Sequence, residues 1–315
     1  MTFFLAILDG LIVLLLAPLT VGFVRLAKAR FQNRRGAPVY LPYLTLLSLM
    51  RKEMTVTKHS SWVFAAAPFF VLASAIALAF IVPTAAAGVL PDFASNLFLV
   101  GGIAAFGSVF LAMGGMDAAS TFGNMGASRE MTLAAFVEPA FYMGFSALAL
   151  VGGTWSLDGI LRHLASLPWS AGVPAASIAL VALVFVTLAE NARYPVDNPA
   201  THLELTMVHE AMLLEYSGPS LALLEYASAV KLTVMLGLVA SLSLPFFLIQ
   251  PPVTALGLVL GVLALIAKLA LAAFVLAFIE STFVKMRFYR MQEYFSLAFI
   301  VALAGLLLAL ISMTR

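Results

Sequence analysis

The sequence predicts an all-α integral membrane protein, and two observations carry that prediction. Of its 315 residues, 63% are hydrophobic and only 10% are charged, whereas a soluble domain carries roughly 25% charged residues. Apolar runs of about 20 residues, the length at which a helix crosses a bilayer, recur along the chain. The sequence shows no internal repeat and no separate soluble segment, so residues 1–315 are predicted to form a single transmembrane domain.

Eight apolar runs predict eight transmembrane helices. The first run has no basic start and contains Asp9, so we expect a retained span and not a cleaved signal. Glycines blur the ends of the third and fifth runs. The predicted spans cover about 3–24, 62–83, 97–115, 132–151, 172–190, 228–249, 253–279 and 295–313.

Lysine and arginine are concentrated in the odd-numbered loops, whereas the even-numbered loops contribute only Arg162. Basic residues favour the cytoplasmic side of a membrane. We therefore expect a multi-pass protein of the inner (cytoplasmic) membrane with both termini on the non-cytoplasmic side. The first loop alone contains eight basic residues: Arg25, Lys28, Arg30, Arg34, Arg35, Arg51, Lys52 and Lys58.

The first loop also contains an amphipathic segment between Tyr40 and Glu53. Leu44, Leu47 and Met50 recur there at helical spacing, which predicts a short helix lying in the membrane interface. The alternative is a basic anchor with no further role.

Charged residues also occur in or beside the predicted spans, where they are costly and therefore suggest function. Glu138, followed by Pro139, lies in the fourth span, and Lys268 lies near the middle of the seventh. The remaining charges at span ends are Glu190, Glu225, Lys231 and Glu280. For Glu225 and Glu280 we favour a structural role as caps or salt bridges, and for Glu138 and Lys268 a functional one.

The fifth loop, residues 190–227, is predicted to be a cytoplasmic acidic loop. A helix start at Asn198-Pro199 and a stop at Ser217-Gly218 enclose about five helical turns. On that helix Glu204 and Glu215 share a face because they are eleven residues apart, and Glu210 points elsewhere. Such an acidic row would carry protons through water. Five of the ten glutamates fall in this loop: Glu190, Glu204, Glu210, Glu215 and Glu225.

The sequence offers no redox centre or metal site of its own. It has no cysteine, which excludes disulfides, thiolate-bound iron–sulfur clusters and cysteine zinc sites. His209-Glu210 begins like a zinc-protease motif, but the second histidine is replaced by Leu213. His202 and His209 are two turns apart, too distant to share one metal. We therefore predict no catalytic residue, metal or cofactor on this chain.

The stretch from Glu190 to Asp197 (ENARYPVD), with Glu204 and the later EYSG from Glu215, resembles the signature of respiratory complex I subunit 1. It more closely resembles the homologous membrane subunit of formate hydrogenlyase and hydrogenase-4, which are energy-converting [NiFe] hydrogenases. Gln32, Arg35, Gly36 and Lys52-Glu53 match the first-loop pattern of that family. The complex I form differs at Ala192 and in the Tyr-Pro-Val run, which favours the hydrogenase-type branch.

The resemblance implies eight spans and a subunit that anchors the membrane arm to a peripheral redox arm. The implied partners are peripheral subunits carrying iron–sulfur clusters and possibly a NiFe centre, and antiporter-like membrane subunits. The positions carried over by motif are Glu190, Arg193, Asp197, Glu204 and Glu215. The residues expected to order the loops or dock the peripheral arm are Arg34, Arg35, Lys52, Glu53, Arg193 and Asp197.

We therefore expect this chain to be an ion-coupling subunit of a complex I-like oxidoreductase. We expect it to bind no nucleic acid, and to bind a quinone only under the first alternative below. Redox events would change the protonation of the fifth-loop acids, and charge would move onward into the membrane. The expected route comprises Glu138, Glu190, Glu204, Glu215, Glu225, Lys231 and Lys268. Two alternatives remain: the quinone-site subunit of an NADH:quinone oxidoreductase, and a free-standing ion transporter. The missing internal repeat disfavours the transporter.

Overall fold

The computed structural model describes residues 2–57, 60–166, 173–197, 207–251, 254–283, 286 and 290–313. Across these residues the chain folds into helices joined by short connections. Their bounds are α1 Thr2–Phe31, α2 Leu41–Met50, α3 Trp62–Ile81, α4 Leu97–Asp117, α5 Thr121–Gly152, α6 Leu157–Ser166, α7 Val173–Glu190, α8 His209–Leu213, α9 Gly218–Ser243, α10 Ala255–Thr282 and α11 Met291–Met313.

Seven of these helices are long and apolar enough to cross a membrane: α1, α3, α4, α5, α9, α10 and α11. The chain is therefore an all-helical, multi-pass membrane protein. The remaining predicted span corresponds to α7, a shorter apolar helix of 18 residues that begins directly after a part of the chain outside the described residues. The count of eight spans stays a prediction.

Several helices extend beyond the predicted apolar runs. The fifth helix begins at Thr121 and not near residue 132, because Ser120 caps its first turn by accepting a hydrogen bond from the Gly123 N–H. Likewise α9 begins at Gly218, ten residues before the predicted span. Polar residues outside the hydrocarbon layer continue these helices without adding to the apolar signal.

The helices form two packed groups that meet along α9. On one side α5 packs against α4, α7 and α11, and on the other α1 packs against α9 and α10. The first-loop helix α2 lies against α9 and α1, as a short helix at the predicted position. Its apolar side chains Leu44, Leu47 and Met50 are exposed, so this face is free to meet lipid or a partner.

The end of the bundle opposite the fifth loop is closed by hydrogen bonds to a buried carboxylate. Asp9 accepts bonds from the backbone N–H groups of Thr84, Ala85 and Ala86 and from the Thr84 hydroxyl. The Ser241 hydroxyl donates to the Thr84 carbonyl from α9. Asp9 therefore satisfies a turn that would otherwise bury several unpaired donors, which is a structural role.

Candidate functional site

The fifth loop departs from the predicted five-turn helix. Asn198, Pro199 and Glu204 lie outside the described residues, and so does the predicted helix start. Over residues 207–217 the prediction is wrong, because the only helix there is α8, His209–Leu213. The Asp197 carboxylate accepts bonds from the N–H groups of Val208 and His209. Residues 207 and 208 are not helical and α8 begins only at His209, so the shared face of Glu204 and Glu215 no longer follows from helical spacing.

The Tyr-Ser-Gly motif joins the fifth loop to the first loop. Tyr216 stacks on Phe64 with ring centroids 4.2 Å apart, and the Ser217 hydroxyl accepts a 2.9 Å bond from the Thr55 N–H. Gly218 has a φ of +54°, and a Cβ there would lie 2.7 Å from the Glu53 carbonyl oxygen. Only glycine fits this close, left-handed position, so the motif fixes how the two loops meet.

A buried carboxylate on α10 holds the start of the fifth loop. Glu280 has a side chain that is 2% exposed, and it pairs with Lys28 of α1 at 3.1 Å and with Arg193 at 3.2 Å. The Lys28 ammonium also lies 4.6 Å from the centre of the Tyr194 ring. This three-residue ion cluster fits the structural role expected for Glu280 and fixes Arg193.

A second ion pair lies where α7 meets α9. The Lys231 ammonium is 2.8 Å from a Glu190 carboxylate oxygen and 3.4 Å from the Ser108 hydroxyl. The two charged side chains are 17% and 15% exposed. The sequence predicts that both residues lie at span ends. In the structure they are in contact although 41 positions separate them in the chain.

Glu130 is a site residue that the sequence analysis missed. It is 8% exposed on the first part of α5, and its carboxylate lies 3.1 Å from His209 Nδ1. The predicted span begins only at residue 132, which leaves Glu130 in a loop. The signal that would have found it is the Ser120 cap, which continues the helix through Glu130.

The pKa of His209 is raised by this arrangement. Burial opposes its protonation, but the Glu130 carboxylate outweighs that effect and raises the pKa above 6.5. A raised pKa in the folded state means that the pair stabilises the fold fully below pH 6.5, and that this contribution is lost as the pH rises through the folded pKa.

We expect His209→Gln to lower the unfolding temperature in detergent most strongly below pH 6.5, by a few degrees. About 1 kcal/mol corresponds to about 2–4 °C for domains of 150–250 residues. The difference from the natural chain should shrink at higher pH. His163→Gln, at an exposed histidine of α6, is the control. A His209→Gln effect that does not vary with pH would contradict the assignment.

Two neighbouring cavities lie between the fifth loop and α5. The first, here called the loop cavity, measures about 90 Å³ and is lined by His209, Glu210, Asn191 and Lys231 among others. The second, the Glu138 cavity, measures about 30 Å³ and is lined by Glu130, Glu138 and Tyr142 among others. Each exceeds the roughly 10–15 Å³ that one water needs.

The two cavities share Ala104, Ser108 and Glu190 as lining residues. Acids and hydroxyls therefore line adjacent spaces from the fifth loop to the middle of α5. Glu210, which was expected to point away from the face of Glu204 and Glu215, lines the loop cavity. Glu138 lines the second cavity and is exposed. The polar lining therefore reaches the outer surface of the bundle at Glu138.

Other predicted site residues lie apart from these cavities. Lys268 lines a third cavity between α7, α9 and α10 that shares no lining residue with the other two. Glu225 faces α1 within electrostatic range of Arg25. Glu215 is half-buried in the turn after α8 and lines none of the three. The exposed loop residues are Arg34, Arg35, Lys52 and Glu53.

The arrangement of the ionisable side chains indicates what chemistry the site can perform. Within the described ranges, no group of three or more His, Asp or Glu side chains is placed to hold a metal ion. The hydrogen-bonding and ionisable groups of the two neighbouring cavities can accept and donate protons.

Comparison with known proteins gives a family. The family model described as NADH dehydrogenase matches residues 4–311. Formate hydrogenlyase subunit 4 of Escherichia coli (strain K12) is 30% identical over 285 residues, which cover 89% of this chain and 90% of that protein. Hydrogenase-4 component C of the same organism is 31% identical over 291 residues, covering 90% of this chain and 88% of that protein.

More distant relatives agree with this match. A subunit of the NADH-quinone oxidoreductase of Paraburkholderia xenovorans (strain LB400) is 26% identical over 271 residues, covering 81% of this chain and 74% of that protein. A chain of the membrane-bound sulfane sulfur reductase, an archaeal respiratory membrane complex, shares the fold with a TM-score of 0.81 at 18% identity, covering 98% of this chain and 100% of that one. The chain thus belongs to the NADH dehydrogenase subunit 1 family of membrane proteins.

Proposed function

We propose that this chain is the membrane-anchor and ion-coupling subunit of a complex I-like oxidoreductase of the hydrogenase-linked branch. The observation that carries the proposal is the pair of neighbouring cavities, which share Glu190 as a lining residue and lie between the fifth loop and Glu138. The similarity to formate hydrogenlyase subunit 4 and hydrogenase-4 component C supports the branch.

The route begins at the fifth loop, where a peripheral redox arm docks. His209 and Glu210 line the entry, and His209 pairs with Glu130 on α5. Because the Glu130 carboxylate raises the pKa of His209, a displacement of the loop that separates the two side chains lowers that pKa and favours release of the proton. Docking and proton release are thereby linked through one side chain. Glu204 and Glu215 belong to the arm-facing part of this loop in the proposal.

The ion pair between Glu190 and Lys231 is the central element of the route. Glu190 lines both cavities, so a proton or water chain that passes between them meets its carboxylate. A positive charge beside a carboxylate favours its ionised form. A movement of Lys231 towards or away from Glu190 therefore changes the charge at the junction, and the pair acts as a charge-controlled gate between the two cavities.

The route leaves the chain at Glu138. This carboxylate is exposed on the outer surface of α5, beside Pro139, which removes one helical hydrogen bond. An acidic residue in the hydrocarbon region needs a polar or charged neighbour. An antiporter-like subunit that covers this face supplies that neighbour and receives the charge.

The proposed placement in the cell follows from the basic loops. The arm-docking side, with residues 190–227 and the first loop, faces the cytoplasm of the inner membrane, and both termini lie on the other side. Arg34, Arg35 and the Lys52-Glu53 pair are exposed there and form the docking surface with the fifth loop. The redox centres, iron–sulfur clusters and a NiFe centre, belong to the partner subunits, and α7 completes a set of eight spans.

The test uses inverted membrane vesicles that contain the intact complex, with reduced methyl viologen as electron donor and hydrogen evolution as the measure of turnover. We expect Glu190→Gln and Glu138→Gln to lower proton movement per hydrogen evolved by about tenfold or more, the factor produced by a barrier increase of about 1.4 kcal/mol. Glu293→Gln, at an exposed carboxylate on α11 that lines neither cavity, should leave the ratio unchanged.

Two results would contradict the proposal. Unchanged proton movement per turnover in both the Glu190→Gln and Glu138→Gln vesicles would remove the route through the two cavities. Absence of hydrogen evolution from vesicles that contain the assembled complex would remove the hydrogenase-linked branch, while leaving the family assignment intact.

A further inference from the structure

Lys268 is a buried lysine in the middle of a membrane helix. It lies halfway along α10, Ala255–Thr282, and is only 8% exposed. It lines a cavity of about 200 Å³ between α7, α9 and α10, here called the Lys268 cavity. Most of the other lining side chains are aliphatic, among them Leu188, Leu236 and Leu276.

No carboxylate of the described part of the chain lies within ion-pairing distance of the Lys268 ammonium, and no hydrogen bond to it is formed there. On the same helix, the other ionisable residue is Glu280, twelve residues further on, where it is already paired with Lys28 and Arg193. A charged ammonium in an apolar membrane environment is costly unless an opposite charge compensates it.

The depth of Lys268 decides what kind of counter-charge reaches it. At 1.5 Å per residue, about 20 Å of helix separates Lys268 from either end of α10. The hydrocarbon layer is about 30 Å thick, so lipid phosphates lie more than about 15 Å from its centre. Lipid tails offer no charge. The counter-charge of a protonated Lys268 must therefore come from a protein side chain at the same depth.

The Lys268 cavity is open on the outer surface of the bundle. Its rim residues Leu271 and Val275 on α10 are 52% and 46% exposed, so a helix lying beside α10 has access to the ammonium. Its volume exceeds by far the roughly 10–15 Å³ that one water occupies, which leaves room for a carboxylate.

We infer that the groove between α7, α9 and α10 receives a transmembrane helix of a partner subunit that carries an aspartate or glutamate near its middle, and that this carboxylate pairs with Lys268. The partner is thus specified by charge and depth. A desolvated ion pair at the centre of an otherwise apolar contact fixes the register of the two helices and rejects helices without the acid.

This assignment concerns assembly and does not depend on the proton route. The Lys268 cavity shares no lining residue with the loop cavity or the Glu138 cavity. A failed proton-coupling experiment would leave the docking site intact, and the absence of docking would leave the route through Glu190 and Glu138 intact.

The test is photo-cross-linking within the intact complex in its native membrane. Benzoylphenylalanine replaces Val275 at the rim of the cavity, and the cross-linked peptide is identified by mass spectrometry. The matched control is benzoylphenylalanine at Leu263, which is 57% exposed on α10 and does not line the cavity. We expect the Val275 position, and not the control, to capture one transmembrane segment with an acidic residue near its centre.

Charge variants then establish the pairing. Lys268→Glu and the neutral Lys268→Met should each lower the cross-link yield per molecule of chain by about tenfold or more, equivalent to about 1.4 kcal/mol. Lys268→Arg keeps the charge and should retain the cross-link yield. In the charge-swapped pair, Lys268→Glu together with lysine in place of the captured acid, the yield should be restored. Cross-links to lipid alone, a captured segment without a central acid, or a yield unaffected by Lys268→Met would each overturn the inference.

Discussion

Glu280→Gln is expected to lower the free energy of unfolding by about 3–5 kcal/mol, the cost of removing one partner from a buried ion pair. The carboxylate of Glu280 is 2% exposed and faces both Lys28 and Arg193. Without its charge, two cations remain close together in a largely buried space. Since Lys28 belongs to α1 and Arg193 to the fifth loop, the variant also loosens the contact between that loop and the bundle.

Thermal unfolding of the purified complex in detergent measures the first effect, and trypsin cleavage at Arg193 in membranes measures the second. Glu293→Gln removes a carboxylate that is exposed on α11 and serves as the matched control. An unfolding temperature for Glu280→Gln equal to that of the control, with unchanged resistance at Arg193, would show that the cluster contributes nothing to stability.

The ion cluster at Glu280 also supports the proposed coupling. Arg193 is three residues from Glu190, so this cluster and the ion pair at Lys231 hold the two sides of the same short segment. A rigid support on one side allows a displacement of the fifth loop to be transmitted to Glu190 instead of being absorbed. Supporting residues of this kind control the position of a functional group without contacting the transported ion.

The transmembrane helices were predictable from the sequence because hydropathy is a local property of the chain. The predicted span 97–115 corresponds to α4, Leu97–Asp117, and 62–83 corresponds to α3, Trp62–Ile81. Both begin at a residue that follows a side-chain cap, Asn96 and Ser61. Where hydropathy and capping signals coincide, the sequence determines the element to within two residues.

The site was less predictable because its contacts join distant parts of the chain. Lys28 and Glu280 are separated by 252 positions, and no periodicity in one sequence relates them. The prediction of a five-turn helix in the fifth loop was wrong for a related reason. Its predicted register assumed one continuous helix, whereas residues 207 and 208 are not helical and their neighbourhood is held by tertiary hydrogen bonds from Val208 and His209 to Asp197. The sequence indicates which residue types are unusual in or beside membrane helices, but it does not indicate their partners.

Lys231→Met is expected to lower the free energy of unfolding as much as Glu280→Gln does. It should also lower proton movement per hydrogen evolved. Removing the ammonium leaves Glu190, 15% exposed, without its partner at 2.8 Å, and the expected cost is about 3–5 kcal/mol. The double variant Lys231→Met/Glu190→Gln removes both charges and should recover most of that loss, since replacing a whole buried pair is far less costly than breaking it.

Comparison of the single and double variants separates structure from conduction. Unfolding temperature and proton movement per hydrogen evolved are measured on the same vesicles, with Glu293→Gln, at an exposed carboxylate of α11, as the control. If Glu190 relays protons, the double variant regains stability but not proton movement. Recovery of both together would mean that the pair only holds α7 and α9 in place, because a route that works without either charge does not pass through them.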